Sequence, residues 1–228
     1  FNELSLGYQA YVFNGFKSTS FDGNGGVNGA LKGSNGLRSG RQKAIQSTID
    51  SPTLSMKFDY YGIPGLRLGL SGYFGDTQAE DDVEAIDGAN IGISMIGFDA
   101  RYAFQRFTAR GQYVHGSLSG TEAYNNLTGK DLGSALQGWY LEAAYNLLPQ
   151  EKYQRLFAFA RYEQYDTHAG TDGSLQQNDA YNRNDLTTGL SYHLAPGVVL
   201  KGDYQFRDNA VSGGDVANRL NFGIGVWF

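Results

Sequence analysis

Leu220-Asn221-Phe222-Gly223-Ile224-Gly225-Val226-Trp227-Phe228 is the stretch that decides the fold. Leu220, Phe222, Ile224, Val226 and Phe228 fall on one face of an extended strand. Asn221, Gly223 and Gly225 fall on the other, with Trp227 the exception. Five large apolar side chains on one strand face need either lipid or a protein core against them.

The same period of two recurs upstream. Alternating segments run over Leu4–Phe13, Leu54–Tyr61, Leu66–Phe74, Ile91–Phe104, Phe107–Gly116, Gln137–Leu147, Leu156–Asp166, Asp185–Leu194 and Val198–Arg207, which with Leu220–Phe228 makes ten. Most have about 9–11 residues, the length that spans a bilayer as a tilted strand. The connections sort by length. Short ones are Gly62-Ile63-Pro64-Gly65, Gln105-Arg106, Leu148–Arg155 and Ala195-Pro196-Gly197. Long ones are Asn14–Thr53, Gly75–Asn90, Ser117–Leu136, Thr167–Asn184 and Asp208–Arg219. Short turns at one end and long loops at the other fit the periplasmic and extracellular ends of an outer-membrane barrel, and a soluble sandwich has no reason to sort them so. The fold expected is all-β: one antiparallel transmembrane β-barrel domain over residues 1–228.

Composition agrees. The chain has 32 Gly, 16 Tyr and 14 Phe but only 4 Pro and no Cys, a mix that favours strands and turns. Mean hydropathy is −0.40, and no run of about 18 apolar residues exists for a membrane helix. Barrel strands hide their apolarity by alternation, so a low average does not exclude a membrane. The net charge of −5 argues against a nucleic-acid partner. Phe1 is not an initiator Met, which reads as a cleaved signal peptide or a piece of a longer chain.

The charged face must point inward, because Arg or Lys on the lipid side near the midplane costs about 2–4 kcal/mol. That phase sends Lys57, Arg67, Arg101, Arg106, Arg110, Arg161, Lys201, Arg207 and Arg219 inward with Asp59, Asp99, Glu142, Glu163 and Asp203. The wall is then net positive although the chain is net negative. Lys57, Arg67, Arg101, Arg110, Arg161, Lys201 and Arg207 form the candidate anion path, since fixed cations in a low-dielectric wall favour anions. The competing reading is a closed barrel in which Asp99 with Arg101, Arg161 with Glu163, and Lys201 with Asp203 pair as ladders. Trp139, Tyr145, Tyr204 and Phe228 are candidates for aromatic girdles.

The loop Asn14–Thr53 is long enough to imply a function. It either folds into the lumen as a constriction, bringing Arg38, Arg41 and Lys43 to the anion path, or stays a surface loop. Gly23-Asn24-Gly25-Gly26 lacks the Lys and Ser/Thr of a phosphate cradle. Glu80-Asp81-Asp82 lacks calcium-loop spacing and reads as a solvated loop. No metal or cofactor is expected. For catalysis, Asp166-Thr167-His168 at the outer end of the seventh strand, with Asp81 and Asp82 in the loop between the third and fourth, resembles the layout of the ten-stranded omptin outer-membrane proteases, which use an acidic pair opposite an Asp-x-His pair to activate water. Here the acidic pair is adjacent rather than separated by one residue, and the chain is expected not to be an enzyme.

Phrases spread over the chain are similar to the phosphate-selective porin (O and P) family. They are Gly36-Leu37-Arg38-Ser39-Gly40-Arg41-Gln42-Lys43, Tyr60-Tyr61-Gly62-Ile63-Pro64-Gly65-Leu66, Leu70-Ser71-Gly72-Tyr73-Phe74-Gly75, Ala109-Arg110-Gly111-Gln112-Tyr113-Val114, Gly138-Trp139-Tyr140-Leu141-Glu142-Ala143-Ala144-Tyr145 and Phe159-Ala160-Arg161-Tyr162-Glu163-Gln164-Tyr165-Asp166. The final stretch resembles the C-terminal assembly signal of bacterial outer-membrane barrels, with Asn221, Gly223, Val226 and terminal Phe228 matching. The resemblance implies a sixteen-stranded homotrimeric porin of the bacterial outer membrane. This chain supplies ten strands from its C-terminal end, or is a shortened relative. Lipid, lipopolysaccharide, the barrel-assembly machinery and small anionic solutes are the implied partners. The expected function is passive diffusion of small hydrophilic solutes with a mild preference for anions, phosphate among them. The alternatives are an omptin-like protease and a closed structural or adhesive barrel.

Overall fold

A computed structural model describes residues 5–21, 26–43, 47, 51–79, 86–213 and 216–227. Ten long strands form one antiparallel sheet: β1 (Leu6–Asn14), β4 (Pro52–Ile63), β5 (Leu66–Asp76), β6 (Gly92–Phe104), β7 (Phe107–Ser119), β8 (Ala135–Asn146), β9 (Arg155–Gly170), β10 (Asn182–Ala195), β11 (Val198–Asn209) and β12 (Arg219–Val226). Each pairs with its neighbours in that order. Among the described residues β1 pairs with β4 and β12 with β11, and no β1–β12 ladder is present.

All ten expected segments are strands of this sheet. The structure lengthens several at the long-loop end: β9 runs on to Gly170, past a register shift between β8 and β9. Short turns set the other end. Phe104 faces Phe107 across the two-residue turn Gln105-Arg106, where Gln105 takes a positive φ of 52°. Gly197, at φ 81°, sits in the turn before β11, where a Cβ would fall 2.3 Å from the Trp227 carbonyl oxygen.

The distribution of apolar side chains is inverted relative to a soluble fold. On one face of the sheet Phe58, Leu70, Ile96, Phe98, Leu141, Leu190, Phe206, Phe222 and Ile224 are all exposed. No helix of the described residues is long and apolar enough to cross a membrane. The sheet curls about its other face, since one cavity is lined by residues from β4 and β5 through to β10 and β11.

The buried apolar core is small and lies among the long connections. Leu31, Leu37, Ile91, Tyr124 and Leu132 from the loops pack with Ile93 of β6 and Leu118 of β7. Two elements there were not expected from the sequence: the hairpin β2 (Thr19–Phe21) with β3 (Val27–Gly29), and helix α1 (Thr121–Thr128). Gly129, at φ 65°, ends the helix in a left-handed cap and donates to the Asn125 carbonyl. Tyr124 projects from it into the core, fully buried. Its hydroxyl accepts from the Leu31 amide at 2.9 Å and lies 3.0 Å from the Leu31 carbonyl and 3.2 Å from that of Ser18. Burial pushes this phenol up to about 12, so it stays neutral.

Removing that hydroxyl takes the partner from the Leu31 amide and carbonyl, while the Ser18 carbonyl keeps the Ala30 amide. Tyr124→Phe is expected to loosen the loop core by about 1–3 kcal/mol while leaving the ten-stranded sheet formed. Proteolysis of the folded protein checks this: cleavage in residues 16–40 should speed up with no change in strand content by circular dichroism.

Candidate functional site

Antiparallel pairing brings residues far apart in sequence onto shared transverse rows. Arg67 stands opposite Arg101, Arg101 opposite Arg110, Arg110 opposite Glu142 and Glu142 opposite Arg161. The row continues through Thr187 and Gln205 to Arg219. Five arginines and one glutamate thus share a single register row across eight strands. Two residues along each strand, about 7 Å away, a second row reads Asp59, Gly69, Asp99, Gln112, Tyr140, Glu163, Asp185 and Arg207. An acidic row therefore abuts a basic one on the concave face.

Ion pairs within and beside these rows hold most of the charges. Lys57 Nζ lies 2.5 Å from Asp99 and 3.6 Å from Asp59. Arg67 reaches Asp99 at 3.2 Å and Asp59 at 3.6 Å. Arg110 Nε lies 2.8 Å from Glu142, Lys201 3.3 Å from Asp203, and Arg207 3.9 Å from Asp185. Arg161 pairs with Glu163 and stacks 4.1 Å over the Tyr140 ring. Arg101 is exposed, and its guanidinium has no ion pair or hydrogen bond among the described residues.

The expected anion path therefore shares one face, but six of its seven cations are engaged by carboxylates. Two of the expected ladder pairs form, Arg161 with Glu163 and Lys201 with Asp203. The third does not. Asp99 takes Lys57 and Arg67, which approach from β4 and β5, in place of Arg101 on its own strand. Arg106 also departs from expectation. It sits in the β6–β7 turn, donates from Nε to the Asn146 carbonyl at 2.8 Å and lies 5.0 Å over the Tyr145 ring. The inward set gains Asp185, which is buried, and Arg183.

A cavity of about 670 Å³ opens beside the arginine row toward the short-turn end, lined by Arg67, Arg101, Arg110, Glu142 and Lys201 with Phe157, Phe159, His193 and others. At the long-loop end the space is crossed by the connection after β1. It leaves β1 at Gly15, where Gln42 Nε2 donates to the Gly15 carbonyl at 2.9 Å, and reaches the far wall. There the Gly33 amide donates to Asp131 Oδ1 at 3.0 Å, Thr167 Oγ1 donates to the Gly33 carbonyl, and Arg183 donates to the Ser34 carbonyl at 3.1 Å. Tyr181 adds a 2.7 Å bond to Asp131 Oδ2. Residue 33 must be glycine here, since a Cβ would lie 2.3 Å from His168 Nε2 and 2.6 Å from the Asp131 carbonyl oxygen. The loop is thus a strap anchored across the concave face at the long-loop end. Arg38, Arg41 and Lys43 are exposed on it. Arg41 Nε donates to the Arg38 carbonyl at 3.1 Å.

The residues of the protease layout are arranged differently. His168 is 1% exposed under the strap. Its Nε2 meets the Asp131 carbonyl, its ring stands edge-on to Tyr181 at 4.7 Å, and Asp166 accepts its backbone amide at 2.7 Å. Asp81 and Asp82, with the rest of the acidic cluster, lie outside the described residues, as do Phe228 and Gly23-Asn24-Gly25. Of the assembly stretch, Asn221 on the concave face donates to Asp203 at 2.8 Å, Gly223 stands opposite Lys201, and Val226 is exposed on the other face. Among the described residues no group of three or more His, Cys, Asp or Glu could hold a metal ion.

No family model matches the chain. It is 27% identical over 215 residues to an uncharacterized protein of Aquifex aeolicus, covering 89% of this chain and 46% of that protein, so it spans about half its relative's length. Among solved structures it is similar to LpxR from Salmonella typhimurium at 13% identity with a TM-score of 0.36, over 97% of this chain and 88% of the other. At those values the likeness carries no argument about activity.

The strap's anchor has an acid-sensitive element. Burial pushes the Asp131 carboxyl up, but hydrogen bonds from Tyr181 and the Gly33 amide and the nearby His168 ring outweigh it and hold the group below its usual range. A lowered folded value means that its stabilisation is complete above about pH 3.9, the unfolded value, and is lost as pH falls through the folded one. Protease cleavage within residues 32–36 should therefore rise below about pH 4. Asp131→Asn should raise it at neutral pH, by about 1 kcal/mol of lost anchoring, and remove the further rise in acid.

Proposed function

We propose that this chain forms the wall of a bacterial outer-membrane channel for passive diffusion of small hydrophilic solutes, with a mild preference for anions. The observation that carries the reading is the inverted sheet: large apolar side chains exposed on one face, and on the other two rows of opposite charge around open space. Lipid is the one solvent that rewards that surface, at roughly 25 cal/mol per Å² of apolar area removed from water. The outer aromatics support a membrane level. Tyr145 and Trp139 stand six residues apart along β8, about 20 Å, and the strand position facing Arg110 lies midway between them. In lipid no backbone edge can stay open, so the pairing that completes the wall lies beyond the ladders described.

Anion preference is supported by the row itself. Arg101 and Arg219 have no carboxylate within ion-pair distance among the described residues, whereas the carboxylates of the wall are each held by Arg or Lys or, for Asp185, shared between Arg207 and Gln205. Small anions passing along that row meet net positive potential. In this reading the exposed Arg38, Arg41 and Lys43 of the strap act on anions entering at the long-loop end. Homotrimer formation, contact with lipopolysaccharide and recognition of Asn221, Gly223 and Val226 by the assembly machinery belong to the same reading, as does phosphate among the permeant anions; these rest on the resemblance in sequence.

Reversal potentials across planar bilayers under a potassium chloride gradient test the proposal. The full-length protein is expected to conduct with the sign of anion preference. Arg101→Glu is expected to shift the potential toward cation preference and leave conductance present. A cation-selective parent channel contradicts the anion preference, and an absence of conductance contradicts the channel.

A further inference from the structure

We propose that the cavity at the short-turn end is a binding site for a small aromatic carboxylate. The inference rests on the channel reading, because a solute arrives at this cavity through an open lumen. Its volume of about 670 Å³ suits a compact organic molecule. Its two halves differ in chemistry. On one side Arg67, Arg101 and Arg110 are consecutive cross-strand neighbours. Like charges directly opposite one another are destabilising. Arg67 and Arg110 are relieved by carboxylates of the wall, but Arg101, between them, is not. A bound carboxylate would supply the missing charge, and a planar guanidinium matches it with two parallel hydrogen bonds.

On the other side Phe157 and Phe159 line the cavity. Phe157 stands edge-on to His193 at 5.6 Å, and Lys201 Nζ lies 4.6 Å from the Phe159 centroid. An inorganic anion gains nothing from these rings and loses hydration beside them. An aryl carboxylate meets both halves at once, its ring against phenylalanine and its carboxylate on Arg101. Glu142, also on the cavity wall, opposes a dianion more than a monoanion.

Benzoate is the probe, with acetate and inorganic phosphate as comparisons. It is titrated calorimetrically into the detergent-solubilised full-length protein and added to single channels in planar bilayers. Saturable benzoate binding at least tenfold tighter than that of acetate or phosphate is expected, with concentration-dependent block of current. Arg101→Gln should weaken benzoate at least tenfold. Phe159→Ala should weaken benzoate and leave acetate unchanged, which separates loss of the ring contact from general damage. Conductance without saturable benzoate binding, equal binding of all three anions, or Arg101→Gln binding as tightly as the parent overturns the site and leaves the channel standing. Saturable benzoate binding in a protein that does not conduct keeps the site and overturns the channel.

Discussion

The antiparallel ladder that sets Arg101 opposite Arg110 carries the rest of the structure. A strand's side chains alternate between faces with a period of two, so register decides which solvent each one meets. A slip of one residue between β6 and β7 would turn Arg101 or Arg110 onto the apolar face, at a cost of about 2–4 kcal/mol in lipid. The two-residue turn at Gln105-Arg106 prevents it by fixing Phe104 against Phe107. Repeated across eight strands, this constraint sets five arginines in one register row and an acidic row beside them.

The two rows leave the interior partly paired and partly open. Ion pairs hold Arg67, Arg110, Arg161, Lys57, Lys201 and Arg207, as a filled barrel would. Yet a cavity remains next to Arg101, and the apolar core lies away from it, in the loops. Arg67 with Asp99, Arg110 with Glu142 and Arg207 with Asp185 brace neighbouring strands, Arg161 with Glu163 and Lys201 with Asp203 pair along one strand, and each is worth up to about 1 kcal/mol where water reaches it. Open space is left beside Arg101, whose guanidinium has no carboxylate partner among the described residues.

Strand positions were legible because alternation and the length sorting of connections are properties of short windows. The charged face was legible for the same reason: Arg161 and Glu163 announce it within three residues. The arginine row was not, because it needs register as well as phase. The two-residue turn at Gln105-Arg106 is a signal that could have given its central pair, since counting four positions back and four forward from it reaches Arg101 and Arg110. Asp99 was paired wrongly because Lys57 and Arg67 come from other strands. Arg106 was placed inward by parity although a turn residue has none, and Asp185, at the edge of its segment, was passed over. Helix α1 is short and Asn-rich, so its propensity is weak. Packing of Tyr124 under the strap holds it, and that contact spans about 90 residues of sequence. The strap's path to Gly33 is tertiary too. Only the need for glycine against His168 and Asp131 marks it locally.

The chain contains no cysteine, so single cysteines report position without interference. The most direct test of the account places one at each of Ala109, Arg110, Gly111, Gln112 and Tyr113 along β7 in full-length protein reconstituted into lipid vesicles, and labels with a membrane-impermeant maleimide. Labelling at 110 and 112 with protection at 109, 111 and 113 is the predicted result. Uniform labelling, or the opposite alternation, would contradict a sheet with lipid on one face and water on the other.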